Sequence, residues 1–254
     1  MAGSGQEIAL QEEIGRRLVE VKGKDQRVET KQVRGFGSFR PVRKLMSTAL
    51  LYCGTPEGFV IGADSRGTNP VTGQIDDKER KLFAFENQLV SVVFAWAGIV
   101  KARAPLFDVS LIEETTRILP VVDYQVFDQD FNARLRERLS VLRVNTTGDV
   151  AHGIFLYFWR GISMICQISV FKNGQTWDSR VIEGGTPNGE IDIISGPDAT
   201  FEKPVSLNQA RNMIEHYIRS AVDDPERPDI GGYPHIGKLT SEGFDWLIPF
   251  VGQS

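Results

Sequence analysis

The first folded feature of this chain is a pair of short apolar runs joined by a glycine-bounded loop. Residues 47–53 and 59–64 are rich in apolar and β-favouring residues, and Gly54 and Gly58 bound the five-residue loop between them. Two such runs at this separation predict a β-hairpin. Because the second run follows the first without an intervening helical segment, a βαβ unit is excluded at this position.

The remaining runs alternate in blocks of strands and helices. Further strands are predicted at residues 80–85, 88–97, 152–159, 163–171, 176–181, 190–195, 235–239 and 243–251. Helices are predicted at residues 100–119 and 127–142 and from the N-cap Ser206 to residue 222, because apolar side chains recur there at helical spacing. The first four strands are expected to form an antiparallel meander. The whole pattern predicts an α+β fold, a four-layer α-β-β-α sandwich with two antiparallel sheets.

The charge changes sign at Met46. Residues 1–45 hold 10 Lys/Arg and 6 Asp/Glu, whereas residues 46–254 hold 19 and 27, so a basic segment precedes an acidic body. We therefore expect two parts, a flexible leader or propeptide-like extension over residues 1–45 and one folded domain over residues 46–254. Apolar residues at near-helical spacing allow a short amphipathic helix over residues 8–21.

Composition excludes several classes of protein. With 41% hydrophobic and 24% charged residues, the chain is neither fibrous nor fully disordered. No apolar run reaches the length of about 20 residues that a membrane-spanning helix needs, no signal peptide is recognisable, and the acidic body argues against nucleic-acid binding. The two cysteines and three scattered histidines predict no metal site and no cofactor, and they favour a cytoplasmic setting.

Ser47 would become a chemically special residue if the preceding segment were removed. A terminal α-amine has a pKa of roughly 7.7–8 and can act as a base toward the hydroxyl of its own residue. Lys81 on the third predicted strand could lower the pKa of that amine, Asp64 could pair with Lys81, and the Gly98 amide could stabilise an oxyanion.

Each of these residues also has an ordinary structural interpretation. Asp64 begins a segment with good turn chemistry, Lys81 fits a solvated strand edge, and Gly98 fits the end of a strand. Ser47 in an unprocessed chain is an ordinary strand residue.

Residues 47–98 together resemble the N-terminal half of a proteasome β-type subunit, in the N-terminal nucleophile (Ntn) hydrolase superfamily. The resemblance rests on the Ser47-Thr48-Ala-Leu start, the Gly58-Phe-Val-Ile-Gly-Ala-Asp-Ser-Arg66 strand, the Arg80-Lys81 pair and the Phe94-Ala-Trp-Ala-Gly98 strand end. Over the rest of the chain it is architectural and includes a helix beginning Ser206-Leu-Asn-Gln-Ala210.

The resemblance implies a role for six residues. Ser47 or Thr48 would be the nucleophile, Asp64 would orient Lys81, Lys81 would tune the terminal amine, Gly98 would line the oxyanion hole, and Ser195 before Gly196 would be a supporting serine. If residues are counted back from Asp64 to the nucleophile position of the family without a gap, Thr48 is favoured. Allowing one extra residue in the 54–57 turn favours Ser47, which is the nucleophile expected here. Asp224 or Asp229 would match a late acidic residue of the family.

The leading hypothesis is a hydrolase that cleaves peptide or amide bonds through an acyl-enzyme on a terminal Ser or Thr. This hypothesis implies a polypeptide or amide substrate and a homo-oligomer that could form a ring. It implies no nucleic-acid partner and no membrane partner. The chain has no phosphate-binding P-loop, so a separate ATPase partner would have to supply any ATP dependence. The alternatives are a catalytically inactive ring-forming or scaffold subunit of the same fold, and a docking arm in residues 1–45.

Overall fold

The computed structural model describes residues 48–68, 74–98, 101–103, 108–140, 149–174, 176–186 and 191–250. The strands are β1 Leu50–Thr55, β2 Gly58–Ala63, β3 Gly67–Thr68, β4 Ile75–Asp76, β5 Leu82–Glu86, β6 Val90–Gly98, β7 Lys101–Arg103, β8 Asp108–Ser110, β9 Asp149–Trp159, β10 Ile162–Asn173, β11 Thr176–Gly185, β12 Ile191–Ser195, β13 His235–Thr240 and β14 Gly243–Ile248. The helices are α1 Leu111–Ile118, α2 Phe127–Ser140 and α3 Leu207–Val222. The leader and its amphipathic segment at residues 8–21 lie outside the described residues.

The predicted hairpin forms the middle of the first five-stranded sheet. β1 and β2 pair antiparallel from Leu50 opposite Ala63 to Thr55 opposite Gly58. The sheet continues on both sides in the order β12-β1-β2-β13-β14. At Gly58, φ is +144° and an added Cβ would overlap the Leu239 carbonyl, so a glycine is needed where β13 crosses the turn.

The second five-stranded sheet has the order β11-β10-β9-β6-β5. Every strand pair of the described residues is antiparallel. The predicted four-strand meander is wrong, because β1 and β2 lie in one sheet and β5 and β6 in the other. β1, β2 and β6 are buried along nearly their whole length and need cover on both faces, which one continuous meander with a solvent face could not give them.

Three apolar clusters cover the faces of the two sheets. The cluster between them joins residues such as Phe59 and Ile61 of β2 to Ile154 and Leu156 of β9. Val60 of β2 faces the opposite way, toward α3, because successive side chains of a strand alternate between faces. A third cluster packs α1 and α2 on the outer face of the second sheet. The fold is thus α+β and sandwich-like.

The helices agree with the sequence pattern in two of three cases. α3 begins after Ser206, whose hydroxyl accepts the Gln209 N–H as predicted, and α2 covers the described part of the predicted 127–142 segment. The helix predicted at 100–119 is too long, since among the described residues of that segment Leu111–Ile118 is helical while Lys101–Arg103 and Asp108–Ser110 are strands. Ser110 caps that helix by accepting the Glu113 N–H, which fixes its start eleven residues later than expected.

Within the part of the chain that the structure describes, no helix combines the length and the apolar character that crossing a membrane requires.

Candidate active site

Asp64 is the centre of the candidate site. It follows β2 directly and is fully buried. Its Oδ1 accepts the Ala49 N–H at 2.9 Å and the Lys81 ammonium at 2.7 Å. Its Oδ2 accepts the N–H groups of Arg66 at 3.2 Å and Gly231 at 3.1 Å. A buried carboxylate is tolerated when it is paired and hydrogen-bonded in this way, so Asp64 joins β1, the segment before β5 and the 223–234 loop.

Lys81 connects that carboxylate to a hydroxyl. It lies directly before β5 and is 8% exposed. Its Nζ donates to Asp64 Oδ1 and, at 3.1 Å, to Thr48 Oγ1. Burial lowers the pKa of Lys81, and the Asp64 charge and hydrogen bond act in the opposite direction. The ammonium is therefore shared between a carboxylate that stabilises its charge and a hydroxyl oxygen that its charge polarises.

Thr48 is the candidate nucleophile that the structure describes. It lies two residues before β1 and is 7% exposed, with its Oγ1 on Lys81. Ser47, the other candidate, lies outside the described residues. The contact agrees with the ungapped count from Asp64 to Thr48. Which of the two hydroxyls acts in catalysis remains a prediction.

Gly98 and Ser195 end two strands. Gly98 closes β6 opposite Ala151 with a φ of +98°, a conformation that favours glycine. Ser195 closes β12 opposite Leu50. Next to it, a Cβ added to Gly196 would lie 3.4 Å from Ala49 Cα, so this strand end reaches the residue beside Thr48. The oxyanion role of Gly98 and the supporting role of Ser195 stay predictions.

The 223–234 loop reaches the site through its backbone. Asp224 accepts the Glu226 N–H at 2.9 Å, and Asp229 lies 3.6 Å from the Arg227 guanidinium. Gly231 donates to Asp64 and, through its carbonyl, accepts the Ser65 N–H at 3.2 Å. The sequence analysis assigned a role to an acidic side chain in this loop and missed Gly231. The adjacent Gly231 and Gly232 were the sequence signal for a close backbone approach.

Arg66 holds the same loop against the site. Its guanidinium donates to Asp77 Oδ2 at 3.0 Å and to the Pro228 carbonyl at 2.7 Å. The Ser65 hydroxyl accepts the Tyr233 N–H at 2.7 Å. The Asp-Ser-Arg segment is thus the turn chemistry that the ordinary interpretation expected, and its carboxylate also meets Lys81.

His235 is a further residue beside the site that sequence reasoning missed. It is 1% exposed, begins β13 opposite Ala63, and its Nε2 accepts the Lys81 backbone N–H at 3.4 Å. Burial, together with the Lys81 charge, lowers the pKa of His235 to about 3. The imidazole is therefore neutral near pH 7. In the sequence it was one of three scattered histidines with no local signal.

Among the described residues, no group of three or more His, Cys, Asp or Glu side chains is arranged to hold a metal ion. Cys53 and Cys166 are buried free thiols. Burial raises the pKa of Cys53 to about 11 and that of Cys166 to about 12, so both are protonated at neutral pH.

Comparison with known proteins gives a fold and no family. No protein-family model matches the chain, and no curated protein matches it in sequence. Among solved structures, Anbu from Hyphomicrobium sp. strain MC1 has a TM-score of 0.51 at 14% identity, over 78% of this chain and 84% of that one. A Gly-1 mutant of the same protein has a TM-score of 0.52 at the same identity and coverage.

A structure described as the helical assembly of the Anbu complex from Pseudomonas aeruginosa has a TM-score of 0.51 at 14% identity, over 81% of this chain and 88% of that one. At this identity the likeness concerns the fold alone. The chain has an Anbu-like fold over most of its length.

The expected resemblance to proteasome β-type subunits is corrected by these findings. No family model supports it, and solved structures that resemble the chain include Anbu proteins at 14% identity. The physical reason is that the matching residues of 47–98 are largely what this hairpin and its closing turn require. Asp64 accepts the N–H of Ala49, directly before β1, and the N–H of Arg66, directly before β3, and the Arg66 side chain holds the 223–234 loop at the Pro228 carbonyl.

Proposed function

We propose that this protein is an amide-bond hydrolase whose nucleophile is Thr48, acting once Thr48 is an N-terminal residue. The observation that carries the proposal is the buried relay in which Lys81 Nζ lies 3.1 Å from Thr48 Oγ1 and 2.7 Å from Asp64 Oδ1. The Anbu-like fold supports a hydrolase of the N-terminal nucleophile type only as an analogy of fold.

The chemistry follows from the positions of the three groups. The Thr48 α-amine takes the Oγ1 proton while Oγ1 bonds to the substrate carbonyl carbon, and Lys81 favours the developing negative charge on that oxygen. The carbon–nitrogen bond then breaks and the leaving amine takes the proton, which leaves an ester on Thr48. A water molecule then gives a proton to the same amine while its oxygen bonds to the ester carbon. The carbon–Oγ1 bond breaks, Oγ1 takes that proton back, and a carboxylic acid product leaves.

Lys81 has two functions in this scheme. Its positive charge lowers the pKa of the Thr48 amine, which keeps part of that amine unprotonated at neutral pH. Its bond to Asp64 fixes the direction of Nζ. Gly98 is proposed as the oxyanion donor and Ser195 as a supporting residue.

A second function is favoured by a different observation. Thr48 is 7% exposed and is preceded by 47 residues in this sequence. An uncleaved chain has an amide nitrogen at Thr48 and no amine base. In that state the protein would be a non-catalytic scaffold of the same fold, and the Lys81–Asp64 pair would only join the two sheets.

Three further properties complete the proposal. We infer a four-layer α-β-β-α arrangement, supported by the apolar clusters on both faces of each sheet. We infer self-association, because the Anbu complex of Pseudomonas aeruginosa forms a helical assembly. A cytoplasmic setting is supported by the two buried free thiols. A separate ATPase partner stays a prediction.

The decisive experiment begins with the intact mass of the purified full-length chain, which reports whether the bond before Thr48 has been cleaved. Two shortened chains are then compared, one beginning at Thr48 and one beginning at Ser47 after removal of the initiator Met. With fluorogenic peptide amides, we expect turnover by the Thr48 form, loss of about a thousandfold or more in Thr48→Ala, and retention in Thr48→Ser.

The chain that begins at Ser47 is the matched control, because it keeps the Thr48 hydroxyl on Lys81 but leaves Thr48 without a free amine, and we expect it not to turn over the substrate. Equal turnover by Thr48→Ala and the wild type would refute the proposal. An uncleaved chain, together with a Thr48 form that does not turn over amides, would favour the scaffold.

A further inference from the structure

Lys81 is fixed at both of its ends by the first sheet, although it introduces a strand of the second. Its side-chain Nζ binds Asp64, directly after β2, and its backbone N–H donates to His235, the first residue of β13. β2 and β13 are paired, with His235 opposite Ala63. The two anchors of Lys81 therefore lie side by side at the end of one rigid strand pair.

We propose that His235 is the positioning residue for Lys81, its neutral Nε2 accepting the Lys81 backbone N–H and so setting the point from which the Lys81 side chain reaches Asp64 and Thr48. This inference rests on the proposed function, because positioning Lys81 has a consequence for turnover only if Thr48 is the nucleophile. The contact itself exists independently of any reaction.

Two aromatic rings lie beside the imidazole of His235. Trp246 lies at a centroid distance of 6.4 Å and Phe250 at 5.9 Å, the latter edge-on, and the residue is 1% exposed. An imidazole that accepts at Nε2 carries its proton at Nδ1. A protonated ring would lose the acceptor and would place a second positive charge beside Lys81, with Arg80 as a third charge near the ring. The neutral tautomer is therefore the form that fits.

The geometry needs His235 because β5 is an edge strand. Its pairing to β6 begins with Leu82 opposite Ala95, one residue after Lys81. Lys81 thus lies just outside the ladder that holds β5. Without the bond to His235, the nearest backbone hydrogen bonds would be the β5 ladder that begins at Leu82 and the bond from the Glu79 N–H to the Ser65 carbonyl at 2.9 Å, two residues before Lys81. A displacement of about 1 Å at a catalytic group can cost on the order of 100-fold in rate.

The test uses the full-length protein labelled with 15N-lysine and 15N-histidine. In the wild type we expect a neutral, Nδ1-protonated His235 and a Lys81 amide strongly protected from hydrogen exchange. His235→Phe keeps an aromatic ring but removes the acceptor, and it should expose the Lys81 amide. His235→Gln, whose side-chain oxygen can occupy a position close to Nε2, should restore most of the protection.

The kinetic measurement asks whether the contact matters for turnover. With a fluorogenic peptide amide and the form of the protein that begins at Thr48, we expect kcat to fall about 10- to 100-fold in His235→Phe with KM nearly unchanged, and to recover in His235→Gln. A merely structural role would lower the amount of folded enzyme in both variants and would not separate them.

The outcomes separate this inference from the proposed function. A wild-type protein without turnover would refute the hydrolase but leave the exchange and tautomer measurements to decide on the contact. A wild-type His235 protonated at Nε2, or a Lys81 amide equally protected in His235→Phe, would overturn the positioning role. The tautomer measurement needs no variant, so it decides even if His235→Phe does not fold.

Discussion

Gly231 donates its backbone N–H to Asp64 across 167 positions of the sequence, at 3.1 Å. This bond is one of four that the Asp64 carboxylate accepts, and the same carboxylate pairs with Lys81. An added Cβ at Gly231 would overlap the Arg66 guanidinium. The glycine is thus required by close approach to an arginine that is itself held by Asp77 and the Pro228 carbonyl.

The first prediction concerns this close approach. Gly231→Ala should destabilise the protein by about 1–3 kcal/mol, because either the bond to Asp64 or the bonds of Arg66 must break. Urea denaturation measures the change in the free energy of unfolding. The same substitution in an Arg66→Ala background should lower the free energy of unfolding clearly less, since the guanidinium that the new Cβ would overlap is absent. An equal cost in both backgrounds would show that Arg66 is not the cause.

The second prediction concerns the buried ion pair. Asp64→Asn or Lys81→Met alone should cost about 3–5 kcal/mol, because each leaves an uncompensated buried charge. The double variant should cost less than the sum of the two, and a double-mutant cycle measures the coupling.

Lys238 and Asp245 provide the matched control for that cycle. Their charged groups are 3.1 Å apart, but the two side chains are 32% and 70% exposed. Breaking this pair should change the free energy of unfolding by at most about 1 kcal/mol. If the two cycles gave the same coupling, the burial of the Asp64–Lys81 pair would have no energetic consequence.

The third prediction concerns acid stability. The pKa of His235 is about 3 in the folded protein and about 6.5 when unfolded. Between these values the unfolded chain binds the proton first, so stability is complete above pH of about 6.5 and falls as the pH drops toward 3. His235→Phe should remove up to about 1.4 kcal/mol per pH unit from this dependence.

Urea unfolding at several pH values in that window measures the slope. The exposed His216 is the control, and His216→Gln should leave the slope as in the wild type. A slope that His235→Phe does not change would contradict the assignment of a buried neutral imidazole.

The fourth prediction concerns the start of α3. Ser206 Oγ accepts the Gln209 N–H at 3.3 Å, so Ser206→Ala should lower the free energy of unfolding by about 1 kcal/mol. Ser220→Ala, at an exposed position near the end of the same helix, should be neutral or slightly stabilising. Thermal unfolding of the two variants compares them directly.

Local chemistry made part of this fold predictable. The hairpin of β1 and β2 and the Ser206 cap depend on residues close together in sequence, and both are as expected. The helix at 100–119 was overestimated because apolar spacing does not report where a cap such as Ser110 starts the helix. The assignment of β1–β2 and β5–β6 to separate sheets depends on which faces are covered, which no short segment specifies.

The candidate site divides in the same way. Asp64, Lys81 and Thr48 could be proposed because strand order brings three nearby segments together. Gly231 and His235 could not, since they reach Asp64 and Lys81 from 167 and 154 positions away, through pairing of β13 with β2. A glycine donating its backbone and a histidine accepting a backbone N–H leave no motif to recognise.

The pairing of β2 with β13 also has a consequence for the time at which the site is completed during synthesis. Gly231 follows Asp64 by 167 residues, which at 5–20 residues per second corresponds to roughly 8–33 s of translation. Until then Asp64 and Lys81 have been made, but Gly231, which binds Asp64, and His235, which binds Lys81, have not. A ribosome-bound chain that has not reached these residues therefore carries an incomplete site, and any chemistry at Thr48 must wait until Gly231 and His235 have been made.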